Sequence, residues 1–250
     1  MKTKPFLLLL PLLFTILSCE QNKNSDEVAC GHEKRQALND FADGNYIWTI
    51  FSGYSDDYLG EEEFIELLHQ NEIKTAEPGT SLSCIPLPAD PYKHCYEKEM
   101  NRLIENKFGK KFIPSLRHTA KQKFAREHPN EIFGYSQCDQ TSRYPDAVSY
   151  DLQYDKIKEA YFKRYPLPQN YIKKKTEAFF SGTSATFILM KNGEIKDLSV
   201  ESTFENKKNN IFEKQFNKQL KDFVLHTRWI PARISGVPVD SYMEANIGYD

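Results

Sequence analysis

The pattern of apolar and polar positions is clearest between residues 186 and 249. Thr186-Phe187-Ile188-Leu189-Met190 is an apolar run, Lys191-Asn192-Gly193-Glu194 is a turn, and Ile195-Lys196-Asp197-Leu198-Ser199-Val200 is a second run. Asn-Gly between two such runs predicts a β-hairpin in which both turn residues take positive φ. Ile211/Phe212, Phe216, Leu220 and Phe223/Val224 then recur at helical spacing, with Lys214, Asn217, Lys218 and Lys221 on the opposite face. An amphipathic helix follows the hairpin. From Val237 the period becomes two: Val237, Val239, Met243, Ala245, Ile247 and Tyr249 share one face, and Asp240, Tyr242, Glu244 and Asn246 the other. That alternation predicts a half-buried strand. Trp229, between Arg228 and Ile230-Pro231, is expected to lock helix to strand as a core residue rather than to stack on a ligand.

Upstream, the period is mostly helical. Helices are expected over residues 33–41, 61–70, 92–108, 114–127 and 155–164, placed by apolar spacing and by Pro91, Gly109 and Pro129 at their ends. Residues 46–51 read equally as a buried strand or an apolar helical turn. Tyr165-Pro166-Leu167-Pro168 cannot continue a helix and suggests a domain boundary. Residues 170–180, closed by Gly182, read as a helix lying on the C-terminal sheet. The expected organisation is a mainly helical domain over 29–150, a linker with a helix over 151–169, and a small α+β unit over 170–250.

The N-terminal stretch bears on where the protein resides. Lys2 and Lys4 precede a charge-free run over residues 6–17 that ends in Leu17-Ser18-Cys19. This is the layout of an export signal, and the run is shorter than the roughly 18–20 apolar residues that a membrane span needs. The ending resembles the lipobox of bacterial lipoproteins. The resemblance implies cleavage after residue 18, acylation of Cys19 and anchoring in the cell envelope, the outer membrane favoured over the inner, facing the periplasm or the cell surface. Residues 20–28 are polar and aperiodic and read as a flexible tether.

Removing residues 1–18 takes away two lysines and no acidic residue, moving the formal net charge from −2 to −4. No basic patch stands out, so a nucleic-acid partner is not expected. With Cys19 assigned to the anchor, Cys30, Cys84, Cys95 and Cys138 remain. In an oxidising compartment they are expected to form two disulfides, among three possible pairings. Pro86, Pro88 and Pro91 stiffen the segment between Cys84 and Cys95 and favour that pair, leaving Cys30 with Cys138. His32 beside Cys30 and His94 beside Cys95 do not match zinc-ligand spacing, so neither metal nor cofactor is expected. The chain holds no nucleophile elbow, zinc-protease, phosphate-loop or dinucleotide motif. Cys30-Gly31-His32-Glu33 reads as a disulfide position, and Glu61-Glu62-Glu63 as a solvated helix start. Binding is the expected role, not catalysis.

Gly182, Phe187-Ile188, Asn192-Gly193, Ile195, Leu198, Val200, Phe212-Glu213, Trp229, Pro231-Ala232, Gly236 and Pro238-Val239 occur in the order and spacing of one family. The segment 171–249, about a third of the chain, resembles the C-terminal domain of TonB-type proteins. The resemblance implies an αββαβ fold with a three-stranded antiparallel sheet, and capture of a short peptide as a strand added to the sheet edge. The family order puts the last strand at that edge. Ser241, Tyr242, Met243, Glu244, Ala245, Asn246, Ile247 and Tyr249 are therefore the candidate partner-binding edge. The chain departs from the family in its cleavable signal, its brief proline break and its cysteine-bearing helical half, so energy transduction is not implied. The expected function is that of a lipid-anchored envelope protein that binds a protein or extended peptide. The alternatives are an accessory of TonB-dependent outer-membrane transport, and a ligand-binding or enzymatic helical half docked by the C-terminal unit.

Overall fold

The computed structural model describes residues 10–50, 59–76, 94–149, 151–173 and 181–249, and side chains of the first helix from residue 25 onward. Cys84, the proline-rich loop after it and most of the helix expected over 170–180 lie outside these residues. The elements are α1 (Leu10–Ala42), β1 (Tyr46–Thr49), α2 (Glu61–Gln70), β2 (Ile73–Ala76), α3 (Cys95–Phe108), α4 (Phe112–Glu127), β3 (Ile132–Phe133), α5 (Gln153–Arg164), β4 (Gly182–Leu189), β5 (Ile195–Thr203), α6 (Glu213–His226), β6 (Arg233–Ile234), β7 (Val237–Pro238) and β8 (Asp240–Gly248). Short 3₁₀ turns occupy Tyr135–Gln137 and Lys207–Phe212. The fold is mixed α and β, and the chain divides into two compact units between Ala120 and Lys121.

In the N-terminal unit, α1 is longer than its pattern suggests. Residues 20–28, expected as a tether, continue the helix that carries Cys19. Cys30, Glu33, Ala37 and Asp40 recur every three or four residues, so they form one stripe of α1. That stripe meets α3. Cys30 is bonded to Cys95, with Cα atoms 5.3 Å apart. The Glu33 carboxylate accepts the N–H groups of Cys95 (3.2 Å) and Tyr96 (3.4 Å), which caps the first turn of α3. The Tyr96 hydroxyl donates to Asp40 Oδ2 at 2.7 Å. The expected Cys84–Cys95 and Cys30–Cys138 pairs are thus replaced: α1 runs straight through Cys30 and delivers it to the start of α3. Cys138 is a buried free thiol.

This unit is not wholly helical. β1 and β2 pair in parallel, Tyr46 opposite Ile73 through Thr49 opposite Ala76, with α2 as the crossover between them. Residues 46–49 are therefore strand. The three glutamates of α2 sit in its first turn, where they favour the helix dipole. Phe64 and Leu68, one turn apart, face a core of Trp48, Ile73, Met100 and Ile104.

The C-terminal unit holds a four-stranded sheet in the order β3-β8-β4-β5. β8, β4 and β5 are antiparallel, and β3 adds in parallel beside the start of β8. In place of the expected three-stranded antiparallel sheet there is a four-stranded mixed one, and β8 is not its outermost strand. α5 packs against β8, and α6 against β4 and β5. Ile157 and Tyr161 of α5 belong to the same core as Phe187, Phe216, Leu220, Met243 and Tyr249. The boundary expected near Pro166 is therefore displaced upstream. The segment 151–169, expected as a linker, supplies part of the core. Trp229 takes its expected core position, 5% exposed, with Nε1 donating to the Val224 carbonyl at 3.0 Å.

Turn chemistry fixes the register. Of Asn192-Gly193 only Gly193 takes positive φ (87°). Gly193 N–H donates to Met190 O and Met190 N–H to Glu194 O, each at 2.8 Å, so the loop has three residues and glycine is its left-handed one. The two-residue turn with positive φ throughout is instead Ser235-Gly236 (47° and 84°), which joins β6 to β7. Val237 thus pairs back on β6, and the long strand begins only at Asp240. Asp240 is buried, and its Oδ1 accepts Lys191 N–H at 2.7 Å, pinning the hairpin loop to β8.

Gly182 is required by packing. A Cβ there would lie 2.8 Å from the Ile247 carbonyl oxygen. Gly182→Ala is expected to destabilise this unit by about 1–3 kcal/mol, as overpacking does, and a denaturant titration of the full chain checks it.

Candidate functional site

The register decides which part of β8 is free. Tyr249 N–H donates to Ser181 O at 3.0 Å, and Thr183–Ile247, Ala185–Ala245, Phe187–Met243 and Leu189–Ser241 are opposed pairs. Odd-numbered residues of β8 therefore bond to β4, and the backbone groups of Tyr242, Glu244, Asn246 and Gly248 point to the other edge. β3 pairs with that edge only at Asp240 and Ser241. Beyond Ser241 no strand pairs with it among the described residues. Its far end is narrowed by Tyr154 of α5, whose hydroxyl lies 2.7 Å from where a Cβ on Gly248 would sit.

The residues expected to form the binding edge separate into two sets. Ser241, Met243, Ala245, Ile247 and Tyr249 are buried. Ser241 is paired with β3 and its hydroxyl is hydrogen-bonded to Ser142, while Tyr249 is hydrogen-bonded to Thr183 inside the core. These five are withdrawn as side-chain contacts. Tyr242, Glu244 and Asn246 stand on the outer face, with Tyr242 59% exposed.

A groove of about 540 Å³ lies beside this edge, lined by Ile132, Tyr135, Ile188, Asp197, Tyr242 and Glu244 among others. Three features build it. β3 passes through Gly134 into the 3₁₀ turn that presents Tyr135, 61% exposed. That turn is held by Gln137, whose Oε1 accepts Gly134 N–H at 2.7 Å, and by Cys138, whose thiol donates to Gly134 O at 3.4 Å. A β-bulge in β5 opposite Phe187 places Asp197 in the left-handed region (φ 50°) and turns it to the groove. Sequence patterning shows Tyr242 and Glu244 as outward residues. Tyr135 and Asp197 carry no such signal, because one comes from a distant two-residue strand and the other from a break in the alternation.

Burial, then Asp139, pushes the Cys138 thiol up to about 11, so near neutral pH it stays protonated and serves packing. Tyr161 rises to about 12 for the same first reason, burial. Cys84 is outside the described residues. Among the described residues no group of three or more His, Cys, Asp or Glu is placed to hold a metal, and no helix is long and apolar enough to cross a membrane. Compared with protein-family models, curated proteins and solved structures, the chain matches none.

Proposed function

We propose that this chain is a lipid-anchored cell-envelope protein, held through Cys19, that captures an extended segment of a partner protein on the outward edge of β8. The observation that carries the reading is the run of outward backbone groups from Glu244 to Gly248 that no strand among the described residues takes up, next to an open groove. An extended segment would complete the ladder, and its alternate side chains would meet Tyr242, Glu244 and Asn246. The short window sets a modest affinity, with the groove supplying selectivity. Anchoring confines the encounter to the membrane surface and follows from the export-signal pattern that ends at Cys19.

The test is site-specific photo-crosslinking in native membranes. A benzoylphenylalanine in place of Tyr242 is expected to give a discrete adduct that Glu244→Pro abolishes. The same probe in place of Leu225, exposed on α6, is expected to give none. Proline at 244 removes an outward donor and leaves the bonds to β4, whereas proline at Ala245 or Ile247 would break the β4 ladder itself. Adducts indifferent to Glu244→Pro would defeat strand addition. A chain recovered in the soluble fraction without acyl mass on Cys19 would defeat anchoring.

A further inference from the structure

We infer that the segment captured at the β8 edge carries a basic side chain, lysine or arginine, that lies in the groove against Tyr135 and Tyr242 and faces Asp197 and Glu244. The inference deepens the strand-addition reading and rests on it.

Charge complementarity carries it. The groove holds two carboxylates, and no basic residue lines it among the described residues. Lys196, opposite Ile188 in the ladder, is not part of the lining. Asn246 Nδ2 donates to Glu244 Oε2 at 3.0 Å, which orients this carboxylate on the outer face of β8. Asp197 is there only because β5 is bulged. The bulge adds a residue opposite Phe187, and an aspartate tolerates the left-handed backbone that this position takes. A regular strand would have no such extra residue to turn toward the groove.

The tyrosines add a second form of attraction. Their rings are large, more than half exposed and set in the same groove as the carboxylates. An aromatic face attracts a cation through its quadrupole, and arginine stacks on it as well. Ile132 and Ile188 complete the lining and suit the aliphatic stem of a long basic side chain. An acidic side chain at the same position would meet two like charges, and a small neutral one would gain nothing from the carboxylates. Strand addition fixes the spacing, since side chains of the captured segment that share the outer face recur every second residue.

The experiment uses purified full-length chain and fluorescent peptides of about ten residues in which threonine alternates with arginine, glutamine or glutamate, read by anisotropy at about 50 mM salt, where screening is weak. The arginine peptide is expected to bind about tenfold tighter than the glutamine peptide, and the glutamate peptide weakest. Asp197→Asn with Glu244→Gln is expected to erase most of that advantage; asparagine keeps the left-handed residue of the bulge. Tyr135→Ala with Tyr242→Ala, which leaves the backbone intact, is expected to lower arginine-peptide affinity several-fold. Glu244→Pro is expected to abolish binding of every peptide. Equal binding of arginine and glutamine peptides, both lost in Glu244→Pro, overturns the charge inference and leaves strand addition standing. Arginine-peptide binding unchanged by Glu244→Pro overturns strand addition. Absence of binding by any peptide overturns both.

Discussion

Tyr249→Ala is expected to lower the stability of the C-terminal unit by about 3–5 kcal/mol, the range for truncating a large buried aromatic. Tyr249 is 1% exposed. Its ring stacks on Phe216 at 4.4 Å and meets Tyr171 at 5.7 Å, Phe162 at 6.2 Å and Phe204 at 6.2 Å. The hydroxyl is bonded to Thr183, so the polar end is satisfied where it is buried. Burial also drives the Tyr249 pKa far above the ordinary tyrosine range, so no titration relieves the site at physiological pH. Tyr242→Ala, in the same strand but on the outer face, is expected to cost about 0.5 kcal/mol or less. Hydrogen exchange of β4 and β8 amides in both variants makes the comparison. Equal effects would mean that the inward and outward faces of β8 are misassigned, and a loss below about 1 kcal/mol at Tyr249 would remove it from the core.

Removing the Cys30–Cys95 bond, by reductant or by paired Cys30→Ser and Cys95→Ser, is expected to cost on the order of 4 kcal/mol in chain entropy for a sequence separation of 65. Unfolding in guanidinium followed by Trp48, buried in the same core, should show the midpoint fall. Alkylation of the native chain without reductant should spare Cys30 and Cys95 because they are bonded, and Cys138 because it is buried. An unchanged midpoint, or labelling of Cys30 or Cys95 in the folded chain, would contradict the assigned bond.

What the sequence reveals and what it hides follow from the range of the interactions involved. The β4–β5 hairpin, α6 and β8 are legible because each is longer than several periods of its own pattern. Trp229 is legible because a tryptophan between a helix and a proline has little choice but to pack. Ile132-Phe133 is too short to show a period, and its partner Asp240-Ser241 lies across more than a hundred residues of chain. Pairing at that range leaves no local mark. The cysteine pairing is hidden for a related reason. A proline-rich loop favours local closure, but the stripe of α1 on which Cys30 sits decides the matter, and that stripe is visible only when α1 is known to continue past residue 28. At the groove, alternation marks Tyr242 and Glu244, while Tyr135 and Asp197 reach it through a chain reversal and a bulge.

The covalent bond between α1 and α3 also sets a path for mechanical force. β1, α2 and β2 all lie between Cys30 and Cys95. Tension applied at the N-terminal end of α1 and borne by the C-terminal unit would cross from Cys30 to Cys95 through sulfur, bypassing the segment between them. The bypassed loop cannot pay out under load. Without the bond, the 65-residue separation would release about 210–230 Å of chain at roughly 3.3–3.6 Å per residue. Under the anchoring and capture proposed above, reduction of this one bond would change the link from short and stiff to long and slack.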